Sequence, residues 1–250
     1  MRLSIAAALL VPGLSCIPAA YADETSPPES PFSANISIAS DYAYRGISQT
    51  DERPALQGGL DFKHASGLYI GTWGSNVSWL RDAEKGTDAS SGNSVELDVY
   101  LGFSKEFGDF GMDVGVLEYT YPGKYSRHWK NETGMKNPYT TEGYLGVSWK
   151  FLSFKYSHSF TTLFGAPNSK GSDYFDLSAS YEVVKNLKLN AHVGHQRIFG
   201  PAKSYSDWKL GATYTLGGFD IGLHYVDTNL SHKKSANADA RAILSIGKSF

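Results

Sequence analysis

Long hydrophobic runs are what this 250-residue chain most conspicuously lacks. After residue 22 no stretch approaches the ~20 apolar residues that a membrane-crossing helix needs. Cysteine is nearly absent too. The only one, Cys16, falls inside the N-terminal segment, so cleavage after Ala22 leaves a chain with no disulfide and no thiol chemistry. No excess charge of one sign exists: 23 Lys and Arg face 25 Asp and Glu, a net charge of −2. That balance excludes a nucleic-acid partner. No segment repeats its apolar residues with the 3.6-residue period of a helix.

Sites of chemistry are equally sparse. No G-x-S-x-G stands in the chain. His158 adjoins Ser159, but neighbours on a strand point to opposite faces, so they do not form a nucleophile–base pair. His192 and His195 also fall on opposite faces. The histidines, at 64, 128, 158, 192, 195, 224 and 232, show no H-x-x-x-H spacing and have no cysteine partners. Asp82, Glu84 and Asp88 could hold a calcium ion loosely, but they lack the EF-hand arrangement, and a solvated loop is the simpler account. The chain is therefore read as a non-enzyme with no metal and no cofactor.

What is present begins with an export signal at residues 1–22. Arg2 supplies the positive region and Leu3 to Leu14 a short apolar stretch. Ala20-Tyr21-Ala22 makes an A-x-A cleavage site. The alternative is a lipoprotein acylated at Cys16, which meets Gly13 where a leucine is usual. Residues 23–32, polar and proline-rich, read as a disordered periplasmic lead. The remainder, 33–250, is rich in aromatics (14% of the chain, with 16 Tyr and 13 Phe) and in glycine (26 residues). Such a composition suits short strands with one greasy and one wet face.

Alternation predicts twelve strands near 33–44, 54–63, 68–76, 93–105, 110–120, 141–151, 153–160, 172–183, 187–197, 204–216, 219–226 and 240–250. Val95, Leu97, Val99, Leu101 and Phe103 share one face, and Glu96, Asp98, Tyr100, Gly102 and Ser104 the other. A half-buried soluble sheet would alternate in the same way. The connections decide. Tight turns (64–67, 106–109, 152, 184–186, 217–218) alternate with longer pieces along the whole chain, as in an up-and-down transmembrane barrel with short periplasmic turns and long extracellular loops. The last strand ends on the aromatic Phe250, the signal expected to engage the barrel-assembly machinery. Tyr42, Tyr44, Phe62, Phe107, Phe110, Trp149, Phe151, Tyr181, Trp208 and Phe219 lie near strand ends, where interfacial girdles form.

Ser40-Asp41-Tyr42-Ala43-Tyr44-Arg45-Gly46-Ile47-Ser48-Gln49 resembles the opening motif of the proteobacterial Gcw_chp family of TorF-like porins. Tyr121-Pro122-Gly123 and Tyr205, Asp207, Trp208 and Gly211 add weaker likeness, and the resemblance runs from about Phe32 to Phe250. It implies an exported outer-membrane β-barrel and carries over no catalytic residue.

Function is then sought on the inward face. Asp41, Arg45, Glu96, Asp98, Tyr100, Asp113, Glu142, Tyr144, Asp176, Asp207 and Lys209 are the candidate channel-lining residues. By parity the inward acids outnumber the inward bases slightly, which favours weak cation preference or none. The counter-reading is that these charges pair across the lumen and plug it. Inward Tyr100, Tyr144, Tyr174 and Tyr205 either offer stacking surfaces to a solute or simply fill space. Arg45 is a pore-mouth charge, or an ion-pair partner of Asp41 or Asp51. The expected function is a channel for small hydrophilic solutes. The alternatives are a non-conducting barrel with a structural or adhesive role through its outer loops and a soluble secreted β-barrel. The expected surroundings are outer-membrane lipid and lipopolysaccharide; the basic loop of Lys124, Arg127, His128, Trp129, Lys130 and Lys136 either meets lipopolysaccharide phosphates or is simply a solvated loop.

Overall fold

A computed structural model describes residues 30–230 and 236–250. The export signal, most of the periplasmic lead and His232 lie outside the described residues. The elements are β1 (Phe32–Ala39), β2 (Ala43–Tyr44), β3 (Ile47–Ser48), β4 (Ala55–Lys63), β5 (Leu68–Asn76), α1 (Trp79–Ala83), β6 (Val95–Phe107), β7 (Phe110–Thr120), α2 (Arg127–Thr133), β8 (Thr140–Trp149), β9 (Leu152–Ser159), β10 (Asp173–Val184), β11 (Leu187–Arg197), β12 (Tyr205–Leu216), β13 (Phe219–Thr228) and β14 (Arg241–Ser249). All strands except β2 and β3 form one closed antiparallel barrel, each paired with its sequence neighbours. Closure is made by β1 on β14, from Asn35 opposite Ser249 to Ala39 opposite Ser245. Phe250 completes the seam by exchanging backbone hydrogen bonds with Ala34 at 2.8 and 3.1 Å. No backbone edge is left open, which hydrocarbon demands.

The apolar side chains face outward. Leu101 is 56% exposed, Leu210 64% and Leu223 59%, whereas Glu96, Asp98 and Glu142 are no more than 2% exposed. A soluble sheet buries the opposite set, so this distribution answers the question that alternation alone left open. The wall carries aromatic pairs at the tight-turn end: Phe32 with Phe62 at 5.1 Å, Phe110 with Trp149 at 6.2 Å and Phe151 with Tyr181 at 5.7 Å.

Three expectations need correction. The first strand stops at Ala39, because residues 40–54 leave the wall and turn into the lumen. Tyr42 and Tyr44 are therefore buried at 2% and 8% and belong to no girdle. The turn between β8 and β9 is Lys150-Phe151, not Leu152, since Trp149 pairs with Leu152. Lys150 takes φ 53° in that turn. Two short α-helices also exist among the described residues. In α2, Ser126 caps the N-terminus by accepting from the Trp129 amide, and Gly134 ends it at φ 68°. Seven residues are too few for a helical period to emerge from the sequence.

Candidate functional site: the lumen and its inserted hairpin

The resembling motif is the part of the chain that enters the barrel. Ala43 and Tyr44 pair with Ser48 and Ile47. Arg45 and Gly46, at φ 47° and 80°, form the two-residue turn between them. Such hairpin turns need positive φ at both central positions. Gly46 is required for a second reason. A Cβ there would lie 2.5 Å from Thr228 Cγ2 and 2.6 Å from Asp207 Cβ, so the tip rests directly on the wall of β12 and β13.

Polar contacts fix the hairpin at base, edge and tip. Asp41 accepts from Ser48 Oγ at 2.6 Å, Thr50 Oγ1 at 2.9 Å and Arg241 Nε at 2.5 Å. Arg241 also donates to the Gly46 carbonyl at 3.0 Å, joining base to tip. Tyr42 donates to Glu96 at 2.9 Å, and Tyr44 to Tyr119 at 2.9 Å. Burial and then the Glu96 carboxylate push the Tyr42 phenol well above its ordinary range, so it stays a donor. Arg45 crosses to the opposite wall. It donates to Glu142 on β8 at 2.6 and 3.1 Å and to Gln196 on β11 at 2.6 Å, and it lies 4.2 Å over the Tyr174 ring of β10. Burial opposes its charge, and Glu142 more than restores it. Its partner is thus neither Asp41, which Arg241 holds, nor Asp51, which pairs with Arg53 at 2.9 Å.

The hairpin divides the lumen. On the β4–β8 side an aromatic cluster fills it, with Trp73, Tyr119 and Tyr121 at 1% exposure or less. Phe164, from the 160–172 loop, packs against Tyr44 at 5.3 Å and Tyr119 at 5.3 Å. Nearer the tight-turn end, inward tyrosines sit directly opposite inward glycines: Tyr69 opposite Gly102, Tyr100 opposite Gly71, Tyr144 opposite Gly115. Each ring lies flat over the space its glycine leaves, since a Cβ on Gly71 or Gly115 would fall 2.5 Å from the facing ring or hydroxyl. Cross-strand pairing of this kind covers backbone that glycine would leave bare. The hydroxyls are then spent on acids: Tyr69 donates to Asp113 and Tyr100 to Asp61, both at 2.6 Å. The buried Lys155 ammonium stands 4.0 Å over Tyr144.

The β9–β14 and β1 side stays open as a cavity of about 210 Å³. Asp41, Arg45, Asp176, Asp207 and Lys209 line it, so five of the candidate residues meet there. Glu96, Asp98, Tyr100, Asp113, Glu142 and Tyr144 also point inward, but into the filled side. There both Asp98 oxygens and Glu96 Oε2 are buried without a hydrogen-bond partner. Tyr100, Tyr144, Tyr174 and Tyr205 are all at most 8% exposed, and Tyr174 also borders the cavity. Gln196 and His192 belong to the site too. Parity with Gly194 and His192 places Gln196 inward, although neither Gln196 nor His192 is among the candidates drawn from the sequence.

His192 sits between two carboxylates, with Nδ1 3.2 Å from Asp176 and Nε2 2.8 Å from Asp207. Ser178 Oγ is 3.2 Å from the same Nδ1, which superficially completes a Ser–His–Asp set. Its geometry opposes nucleophilic catalysis. Ionised carboxylates only accept, so both ring nitrogens must donate. No lone pair remains for the Ser178 proton, and Ser178 already donates to Asp176 at 2.6 Å. The network ties β10, β11 and β12 together. His158 likewise faces Asp173 at 2.8 Å on the outer wall, while Ser159 is buried on the other face. Of the suggested calcium acids, Asp82 pairs with Lys85 at 2.8 Å and Glu84 accepts from Trp129 at 2.7 Å, so neither joins Asp88 in a site.

A closed barrel with an apolar exterior and a wet, partly filled interior defines an outer-membrane β-barrel protein, with short periplasmic turns and long extracellular loops. The chain belongs to the Gcw_chp family, described as a bacterial protein of unknown function, which matches residues 22–250. Solved structures agree on the fold. A KdgM porin superposes with a TM-score of 0.55 at 8% identity, over 87% of this chain and 99% of its own. An outer-membrane channel from Pseudomonas putida F1 gives 0.53 at 12% identity, over 92% and 100%. A KdgM porin in complex with disordered oligogalacturonate gives 0.52 at 9% identity, over 88% and 98%. At such identities the likeness concerns the fold alone. No curated protein matches the sequence.

Proposed function

We propose that this barrel is an outer-membrane channel for passive diffusion of small hydrophilic solutes rather than an enzyme. Solutes pass along the β9–β14 side of the lumen, beside the inserted hairpin. The observation that carries this reading is the cavity itself: charged and hydroxyl side chains line it together with Ala39, Val226 and Ile243, while an aromatic cluster fills the other half of the lumen. The inserted hairpin confines the open part of the lumen to this side, so the conductance is small. The neighbour crystallised with oligogalacturonate is compatible with a polar solute but does not select one. Residues 1–22 serve as a cleaved export signal, the Phe250 strand engages the barrel-assembly machinery, and the outer loops face lipopolysaccharide. Planar-bilayer recording of the purified protein tests the channel: discrete small-conductance events are expected, and none in repeated reconstitutions would sink it.

The filled half and the lumen-spanning Arg45 favour a second reading, a non-conducting barrel that acts through its outer loops. Liposome swelling separates the two. Swelling in small sugars supports the channel, and its absence alongside verified insertion supports the closed barrel.

A further inference from the structure

The two longest outer connections, 77–94 and 121–139, are fastened to each other. Trp129 of α2 is 1% exposed and donates to Glu84 Oε1 at 2.7 Å, the same oxygen that accepts the Ser91 amide at 2.7 Å. Asn93 Nδ2 donates to the Pro122 carbonyl at 2.9 Å, and the Lys124 amide to the Ser91 carbonyl at 2.8 Å. This frame fixes how the outer face of α2 meets the neighbouring loop. His128 and Glu132 are four residues apart on α2 and therefore project side by side. Asp88 of the 77–94 segment reaches them. One ligand atom from each of the three lies within 4.8 Å of the others, and His128 Nε2 is 2.8 Å from Asp88 Oδ1. All three are exposed, so an ion from the medium reaches them directly, and small side-chain rotations draw the three ligand atoms in around it.

We propose that Asp88, His128 and Glu132 form an extracellular binding site for a first-row divalent transition metal, a site independent of the lumen. The donor set sets the class. Calcium and magnesium are held by oxygen ligands, calcium by six to eight of them. One imidazole nitrogen with two carboxylate oxygens suits zinc and its neighbours. Three protein ligands leave a fourth tetrahedral position to water. The bound ion joins the two loops directly, because Asp88 comes from one and the α2 pair from the other.

The test uses tag-free, full-length protein in detergent and Zn²⁺ as the probe, titrated in competition with a chromophoric chelator. Saturable binding of one ion is expected. Loss of even an outer-shell partner of a metal site weakens it about 10–100-fold, so H128A and E132Q should each weaken binding at least about tenfold. Zn²⁺ should also slow proteolysis of the 77–94 and 121–139 segments in the parent protein and not in H128A. All three side chains are exposed, so these variants keep the barrel, which far-UV circular dichroism verifies. Unchanged affinity in both variants, no saturable binding up to millimolar Zn²⁺, or equal competition by Ca²⁺ would each overturn the proposal.

Discussion

Arg45 and Glu142 meet across the lumen at 2.6 Å, with side chains only 6% and 3% exposed, although they stand 97 residues apart in sequence. The pair pins a hairpin that starts at one wall to the wall facing it. Both charges are desolvated, and the planar guanidinium satisfies both carboxylate oxygens at once. The contact therefore fixes where the hairpin stands in the barrel.

Removing one partner should cost more than removing both. Arg45→Ala strands Glu142 as a buried, uncompensated charge, a loss of about 3–5 kcal/mol. Arg45→Met with Glu142→Leu should recover most of that. Thermal unfolding in detergent reads the difference as a coupling energy. Additive single and double effects would show that the pair carries no such coupling.

The hairpin tip offers an independent handle. Gly46→Val places a Cβ within van der Waals overlap of Thr228 and Asp207 and strains a backbone at φ 80°. Strain of that kind costs about 1–3 kcal/mol. The tip must then back away from β12 and β13, so single-channel conductance should rise while the barrel persists. Unaltered conductance would mean the hairpin does not bound the solute path.

How much of this was legible in the sequence depends on period and place. Alternation located every barrel strand, because a two-residue repeat is visible over eight or more residues. Sorted loop lengths then pointed to the up-and-down topology that the strand pairing shows. The same alternation misled at Asp41 to Tyr44, where the pattern continues but the chain has left the wall; period two describes an extended segment wherever it runs. The clue was local: Arg45-Gly46 between Tyr44 and Ile47 is a hairpin turn, with Asp41 and Ser48 poised to bond across it. Parity places Asp176, Asp207 and Lys209 on the inward face, where they border the cavity. It could not tell an open side from a filled one, since that division depends on which glycines face which tyrosines across strands. Phe151 extended the strand expected at 141–151 two residues past the end of β8 at Trp149, because an aromatic fits a strand as readily as a turn at the interface.

The glycine–tyrosine pairing makes a sharp contrast between two conservative changes. In Gly115→Ala the new Cβ would fall 2.5 Å from the Tyr144 hydroxyl and 2.6 Å from the Leu101 carbonyl, so ring or backbone must move. Overpacking of this kind costs about 1–3 kcal/mol. Tyr144→Phe removes only the hydroxyl contact with Tyr69, which keeps its bond to Asp113 at 2.6 Å, and should cost about 1 kcal/mol or less. Thermal unfolding of the two variants side by side checks the order. A larger loss in Tyr144→Phe would contradict the packing account.

Ion selectivity can report which side of the lumen conducts. Lys209 lines the cavity on the β9–β14 side, and Glu96 sits in the filled side at 1% exposure. In a narrow tube with low-dielectric walls, a charge acts strongly on ions that pass it and weakly on those kept away. Lys209→Glu replaces a positive by a negative wall charge and should shift the reversal potential under a salt gradient toward cations. Glu96→Gln removes a buried carboxyl and should leave the reversal potential near that of the parent. The two substitutions thus predict opposite outcomes from the two sides of one hairpin. If Glu96→Gln moved selectivity and Lys209→Glu did not, ions would be travelling past the aromatic cluster, and the division of the lumen drawn from its packing would be reversed.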